Sequence, residues 1–420
     1  MRLTGALAIV ATAALAAAPP AVAAGLPAIK HVFVIVLENK GFDETFSATS
    51  KSPYLAREVP KLGETFRNYY GTGHFSLTNY MALVSGQAPT TDTQNDCFAA
   101  YNDVTPGTPA ADGQVTGNGC VYPASVKTVA DQLTAKGLTW KAYMEDMGTP
   151  CRHPAPGAAD TTLRVTPGDQ YAGRHNPFIY FHSIVDTPAC NTNDVDFSNF
   201  TADIADASKT PNYSFITPNV CDDGHDGPCV DQRPGGLASA DAFLKTWVPK
   251  IMGSPGYKDN GMIVVTFDEA EISDSTACCN EPSGPNVTMP GRDGPGGGRV
   301  GTVFISSFVP PGTVNDTPVN HYSLLRGVED LFGLSPLGYA TTAPVIDSVY
   351  DMTRPQSAVF AEPPPTTTTT VAAAAAPARP ELPRTGGNTL ALLALGAGAI
   401  TGGLAMTAPW RRGRRGAGSR

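Results

Sequence analysis

The sequence predicts an α/β fold: a central, mostly parallel sheet with helices on both faces. Three observations carry this. Four short apolar runs rich in β-branched residues are spread through the body of the chain, the pattern of buried strands. Helical patterns lie between them, which argues for alternation rather than a helical bundle or a β-sandwich. Two of the runs stop at acidic residues, and in open α/β sheets ligands collect beyond the carboxyl ends of the strands.

The first run is Val32-Phe33-Val34-Ile35-Val36-Leu37, closed by Glu38-Asn39. Residues 77 to 85 read as a helix, with Ser76 as its natural N-cap. Val126 to Lys136 is a second helical stretch and Ser239 to Val248 a third. Tyr213-Ser214-Phe215-Ile216 is a strand leading to Asn219 and Asp222. Met262 to Phe267 is another, closed by Asp268-Glu269, and Thr302 to Ile305 is the fourth. The chain has 420 residues, 41% hydrophobic, ample for one sizeable core. Its formal net charge is -9 and its body has no long basic stretch, which argues against a nucleic-acid partner.

The two ends differ from the body. Residues 1 to 24 have one early cation, an Ala-rich apolar run and Ala21-Val22-Ala23, the pattern of a cleavable signal peptide. The dense region spans residues 29 to 352. Residues 353 to 381 are rich in Pro, Thr and Ala and read as an extended spacer. Residues 382 to 420 begin with Leu382-Pro383-Arg384-Thr385-Gly386, continue with an apolar stretch from Thr389 to Ala408, and close on Arg411, Arg412, Arg414 and Arg415. This tripartite end resembles the sorting signal of sortase-anchored proteins. It implies an exported protein joined to the peptidoglycan of a Gram-positive cell wall, with the membrane touched only through this segment.

Eight cysteines fit an oxidising compartment, and no CxxC pair suggests a cysteine zinc site. Cys221 with Cys229 is the best local pairing. It closes a short loop around Asp222, Asp223, His225 and Asp226.

Three features could carry chemistry. Glu38-Asn39 and Asp268-Glu269 close buried strands, and carboxylates so placed need a partner or a metal. Hard oxygen ligands suit magnesium, calcium, manganese or zinc. Ser76 sits at a helix start, where free amides can hold a phosphate and a bound cation can activate a hydroxyl. Asp222 and His225, with His321 later, are candidate metal or phosphate ligands, although Asp-Gly is also ordinary turn chemistry.

Together these segments resemble the phosphoesterase family of bacterial phospholipases C and acid phosphatases, within the alkaline-phosphatase-like superfamily. The matching stretches are His31 to Phe46, Thr72 to Gly86, Trp140 to Met147, His175 to Tyr180, Asn212 to Asp226, Ile263 to Glu269 and Asn320 to Leu334. The resemblance implies an alkaline-phosphatase-like sandwich and a divalent metal at Glu38, Asn39, Asp268 and Glu269. It implies Ser76 as nucleophile, Asn79 on the phosphate, and Asp222, His225 and His321 on a second metal or the phosphate. Phe75 and Thr78 replace prolines common in relatives. Lys40-Gly41 replaces the Arg-Ser of the phospholipase branch, which favours a phosphatase over a phospholipase C or other phosphodiesterase. No sulfatase pattern frames Ser76. A non-catalytic wall adhesin would share the spacer and sorting signal, but it would not need the full set of acidic residues, serine and histidine.

Overall fold

The computed structural model describes residues 25–280 and 282–354. The signal peptide, nearly all of the spacer and the sorting signal, including Leu382, Pro383, Thr385 and Gly386, lie outside the described residues. Among the described residues no helix is long and apolar enough to cross a membrane.

Eight strands form the main sheet: β1 His31–Leu37, β2 Glu64–Phe66, β3 Trp140–Met144, β4 Asp194–Asp196, β5 Tyr213–Thr217, β6 Gly261–Phe267, β7 Thr302–Ser306 and β8 Thr313–Asn315. Their spatial order is β8-β2-β7-β6-β1-β5-β3-β4. The run from β6 through β1, β5 and β3 to β4 is parallel throughout. β7 is antiparallel to both β6 and β2. The expected class therefore holds, a mostly parallel sheet with helices. The run Thr302 to Ile305 looked like the others because an apolar run reports burial and not strand direction.

Every residue of β1, β5 and β6 is buried. Burial on both faces is why these strands are continuous apolar runs instead of alternating ones. Each buried Val, Ile or Phe stabilises the fold by roughly 1.5–3 kcal/mol. Aromatic contacts extend this core, with Phe178 edge-on to Phe215 at 5.6 Å and stacked on Trp140 at 4.9 Å.

Four helices matter for the site or its supports. α1 is Ser76–Ser85, α2 Val129–Ala135, α3 Gly236–Gly253 and α4 His321–Phe332. α2 starts later than expected because Thr128 and Asp131 close a capping box there. α3 runs beyond both ends of the predicted stretch and carries Pro249 inside it. α1 is buried on every side and ends at Gly86, which adopts the left-handed conformation a side chain would resist.

All eight cysteines are paired: Cys97–Cys120, Cys151–Cys190, Cys221–Cys229 and Cys278–Cys279. The expected Cys221–Cys229 bond is among them.

Candidate active site

The register of the sheet builds the site. Leu37 pairs with Phe267 on the parallel neighbour, so both strands end level. The next backbone N–H on β6, that of Asp268, donates to Leu37 O at 2.8 Å. On the other side of β1, Glu38 N donates to Asp223 O at 2.8 Å. Three adjacent strands therefore deliver Glu38, Asp223, Asp268 and Glu269 to one end of the sheet, and all four are buried. Burial raises all four carboxyls, Asp268 to about 6. After burial, the charges of Asp268 and Asp223 push Glu38 up further.

Asn39 turns the chain at φ 52, a conformation asparagine tolerates better than most residues. Its N–H donates to Asp268 Oδ1 at 2.9 Å and its Nδ2 to Glu269 Oε1 at 2.8 Å. The other oxygen of Glu269 is hydrogen-bonded to His74 Nδ1, while His74 Nε2 donates to Asp274 O at 3.2 Å.

Ser76 is the first residue of α1 and not its cap. Phe75 holds the cap position, and Asp96 Oδ1 accepts from the Leu77 N–H at 2.9 Å. The Ser76 hydroxyl is thus spared from capping, and it donates to Glu38 Oε2 at 2.8 Å. Tyr80 lies one turn on, on the same helix face, and donates its hydroxyl to Glu38 Oε1. Residues i and i+4 of one helix therefore hold both oxygens of one carboxylate.

His175 completes this arrangement. It comes from the short turn Gly173–His175, and its ring stacks on Tyr80 at 5.5 Å. Nε2 lies 3.4 Å from Glu38 Oε2, and Nδ1 lies 3.8 Å from Asp223 Oδ2. Burial, followed by the charge of Arg174, holds its pKa well below the usual imidazole value. Arg174 is the nearby cation. Its closest carboxylate oxygen is Asp96 Oδ2 at 4.0 Å, and its guanidinium makes no hydrogen bond among the described residues.

Several expected ligands are placed differently. Asp222 does not face the cluster, because Arg233 Nη1 holds both its oxygens at 2.7 Å. Its neighbour Asp223 turns inward instead. The His225 side chain is 45% exposed and lies 3.5 Å from Asp226 Oδ1, at the edge of the site. Asn79 spends its amide on its own loop: Oδ1 accepts from Thr72 N and Gly73 N, and Nδ2 donates to Gly73 O. His321 props the end of β6 from behind. Nε2 donates to the Asp268 carbonyl and Nδ1 accepts from Tyr69 at 3.0 Å, so both ring nitrogens are occupied. Its pKa falls to about 4 through burial. His175 and Asp223 both stood in sequence segments that matched the family, but nothing local distinguished Asp223 from Asp222.

The chemistry of the cluster fits a divalent cation. Asn39 Oδ1, Asp223 Oδ2, Asp268 Oδ2 and both ring nitrogens of His175 are buried without hydrogen-bond partners. Buried polar atoms are normally satisfied, so these unpartnered oxygens and nitrogens at neighbouring strand ends are where a cation would fit. The cage is not closed. Among the described residues the tight grouping of metal-ligating atoms is Cys221, Cys229 and Asp231, whose sulfurs are already joined in a disulfide. A cleft of 270 Å³ lined by Val165, Gln170, Val220, Asp226 and Val230 lies past the Asp223 loop, and none of the four carboxylates lines it.

The Phosphoesterase family profile matches residues 61–335, more than half of the chain. The match contains Ser76, His175, Asp223 and Asp268, while Glu38 lies ahead of it. A probable acid phosphatase of Kluyveromyces lactis is 27% identical over 316 residues, covering 74% of this chain and 60% of that protein. A phosphatidylinositol-3-phosphatase of Mycobacterium tuberculosis is 26% identical, covering 78% of this chain and 85% of that protein. The chain spans less than two thirds of the length of the fungal acid phosphatases it matches. Among solved structures, an alkaline phosphatase superfamily protein of Vibrio parahaemolyticus is 12% identical with a TM-score of 0.41, covering 73% of this chain and 67% of that one.

Proposed function

The chain belongs to the Phosphoesterase family, and on that premise we propose that it hydrolyses phosphate monoesters, with Ser76 as nucleophile and a divalent cation at the carboxylate cluster. The observation that carries this reading is the 2.8 Å hydrogen bond from Ser76 to Glu38, made where three strand ends meet. A serine used only for capping would bond its own helix.

Ser76 Oγ attacks phosphorus and passes its proton to Glu38 Oε2, the Oγ–P bond forms as the bond to the leaving alcohol breaks, and the departing alkoxide takes a proton from water. Water then cleaves the phosphoserine. Glu38 aims the hydroxyl, and Tyr80 fixes Glu38. Arg174, with its donors unspent, meets the phosphoryl oxygens, which guanidinium geometry suits. His175 is kept neutral by burial, the form in which an imidazole nitrogen can ligate a cation. Glu38, Asn39, Asp223, Asp268 and His175 would hold the cation, which supplies a lowered hydroxyl pKa and offsets charge on the phosphoryl group. The oxygen-rich set suits magnesium, calcium or manganese, and His175 would admit zinc.

The acid phosphatases among the relatives support a monoester substrate, and the mycobacterial relative supports including phosphoinositide monoesters in the substrate panel. Export and covalent attachment to peptidoglycan by a sortase through Leu382 to Gly386 belong to the same reading. They are supported by the sequence and by a domain whose eight cysteines are all in disulfides.

The test compares the purified protein on p-nitrophenyl phosphate and bis(p-nitrophenyl) phosphate, before and after chelation. Faster release from the monoester is expected, lost on chelation and restored by added cation. A rate unchanged by exhaustive chelation, with no metal found by elemental analysis, would refute the metal-assisted mechanism. Preference for the diester would move the assignment to a phosphodiesterase.

A further inference from the structure

One wall of the site is a glycine-rich segment, residues 289–298, fastened along the loop that leads to Ser76. His74 N donates to Pro290 O at 2.9 Å. Gly297 N donates to Gly71 O, and Gly71 N to Gly298 O, each at 2.9 Å. Gln94 Nε2 donates to Met289 O at 2.7 Å and Pro290 O at 2.9 Å. A Cβ at Gly73 would lie 2.5 Å from Thr78 Cγ2 and 2.9 Å from Pro290 O, so the helix and the wall together require a glycine there.

This wall carries Arg292. Its guanidinium carbon lies 4.6 Å from the centroid of the Phe75 ring, and Phe75 is bonded directly to Ser76. Nη1 donates to Gln94 O and Asn95 Oδ1, each at 3.1 Å. Nε and Nη2 donate to nothing among the described residues, and no carboxylate there lies within 4.0 Å of Arg292. Its charge reaches Glu269 only at longer range, where it lowers that carboxyl slightly against the effect of burial. The aromatic face and the two Nη1 bonds fix the plane of the guanidinium before any ligand arrives.

We propose that Arg292, seated on Phe75, forms a leaving-group subsite for phosphate monoesters whose alcohol carries a second anionic group, such as another phosphate. The proposal rests on the phosphoesterase reading of Ser76. The physical argument is one of charge. The cation that Glu38, Asp223 and Asp268 would hold, and the Arg174 guanidinium, are taken up by the phosphoryl group being transferred, so a second anion on the leaving alcohol needs a cation of its own. Arg292 offers two open donors from the Phe75 side, enough for a bidentate contact with a phosphate.

Fructose 6-phosphate and fructose 1,6-bisphosphate share one sugar and differ in the second phosphate, so initial rates of phosphate release on both give the test. The wild-type protein should favour the bisphosphate about tenfold in kcat/KM, the scale of one charge-assisted hydrogen bond. Arg292→Met keeps an apolar stem over Phe75 and should lose that preference through KM, with the monophosphate little changed. Arg292→Lys should keep part of the preference. Equal losses on both sugars in Arg292→Met would make Arg292 a brace for the wall and overturn the subsite. So would a wild-type protein without preference, or one that cleaves p-nitrophenyl phosphate but neither sugar. Release from none of the three would remove the phosphoesterase reading itself.

Discussion

Removing the Ser76 hydroxyl should separate catalysis from helix capping. In Ser76→Ala the helix keeps its cap, because Asp96 and not Ser76 holds the Leu77 N–H. The lost contact is one hydrogen bond to a buried carboxylate, which contributes about 1–3 kcal/mol to stability. The rate should fall on the order of 10⁴-fold or more, as when the nucleophile of a serine hydrolase is removed. Asp96→Ala is the comparison. It removes the cap, worth about 1 kcal/mol, together with the carboxylate nearest Arg174, and leaves the hydroxyl to attack, so its rate should fall far less than that of Ser76→Ala. Urea denaturation measures the first quantity for both variants, and initial rates on p-nitrophenyl phosphate measure the second. Acid-quenched enzyme should carry phosphate on the peptide containing Ser76. A folded Ser76→Ala protein within tenfold of wild-type kcat would refute the assignment. Label on Thr78, whose buried hydroxyl has no hydrogen-bond partner, would move the nucleophile two residues along the helix.

Glu329 in α4 is buried with one oxygen on Leu337 N at 2.9 Å and the other unpartnered, and burial pushes its carboxyl to about 9. Its folded pKa lies above the unfolded value, so its contribution is full below about pH 4.5 and is lost as pH rises towards 9. By pH 7 the loss reaches roughly 3 kcal/mol at most, at 1.36 kcal/mol per pH unit. Glu329→Gln should therefore gain stability relative to wild type between pH 5 and pH 8.5 in urea titrations; a constant difference would show that Glu329 does not titrate in this way. Thr385→Ala should move the protein from the wall fraction to the membrane or the medium, and an unchanged wall-bound fraction would favour non-covalent retention.

The acidic strand ends were legible because burial and charge conflict at one residue. A run such as Val32 to Leu37 must be inside, and Glu38 directly after it must find a partner. Glu38, Asn39, Asp268 and Glu269 do converge, as the level ends of two parallel strands require. The loop after β5 was legible only as a place. Asp222 and Asp223 are equivalent in sequence, and what separates them is Arg233, eleven positions from Asp222, which takes the first and leaves the second to turn inward. His175 was unreadable for a similar reason. Its partners Tyr80, Glu38 and Asp223 come from three distant segments, and no periodicity links a short turn to a strand end.

The helix start shows most clearly how a local rule fails at a site. Serine before an apolar helical run reads as a cap, since nothing within a few residues competes for that role. Here the competitor is Asp96, nineteen residues beyond Leu77, on a turn tied down by the Cys97–Cys120 disulfide. Asp96 itself adopts a left-handed backbone at φ 52, a conformation aspartate tolerates better than most residues. Because a distant carboxylate satisfies the helix amide, the serine hydroxyl is left to donate elsewhere, and the acceptor it finds is the end of β1. Moving the cap to another part of the chain is thus what turns a common helix-start serine into one whose side-chain hydroxyl points into a buried acidic cluster.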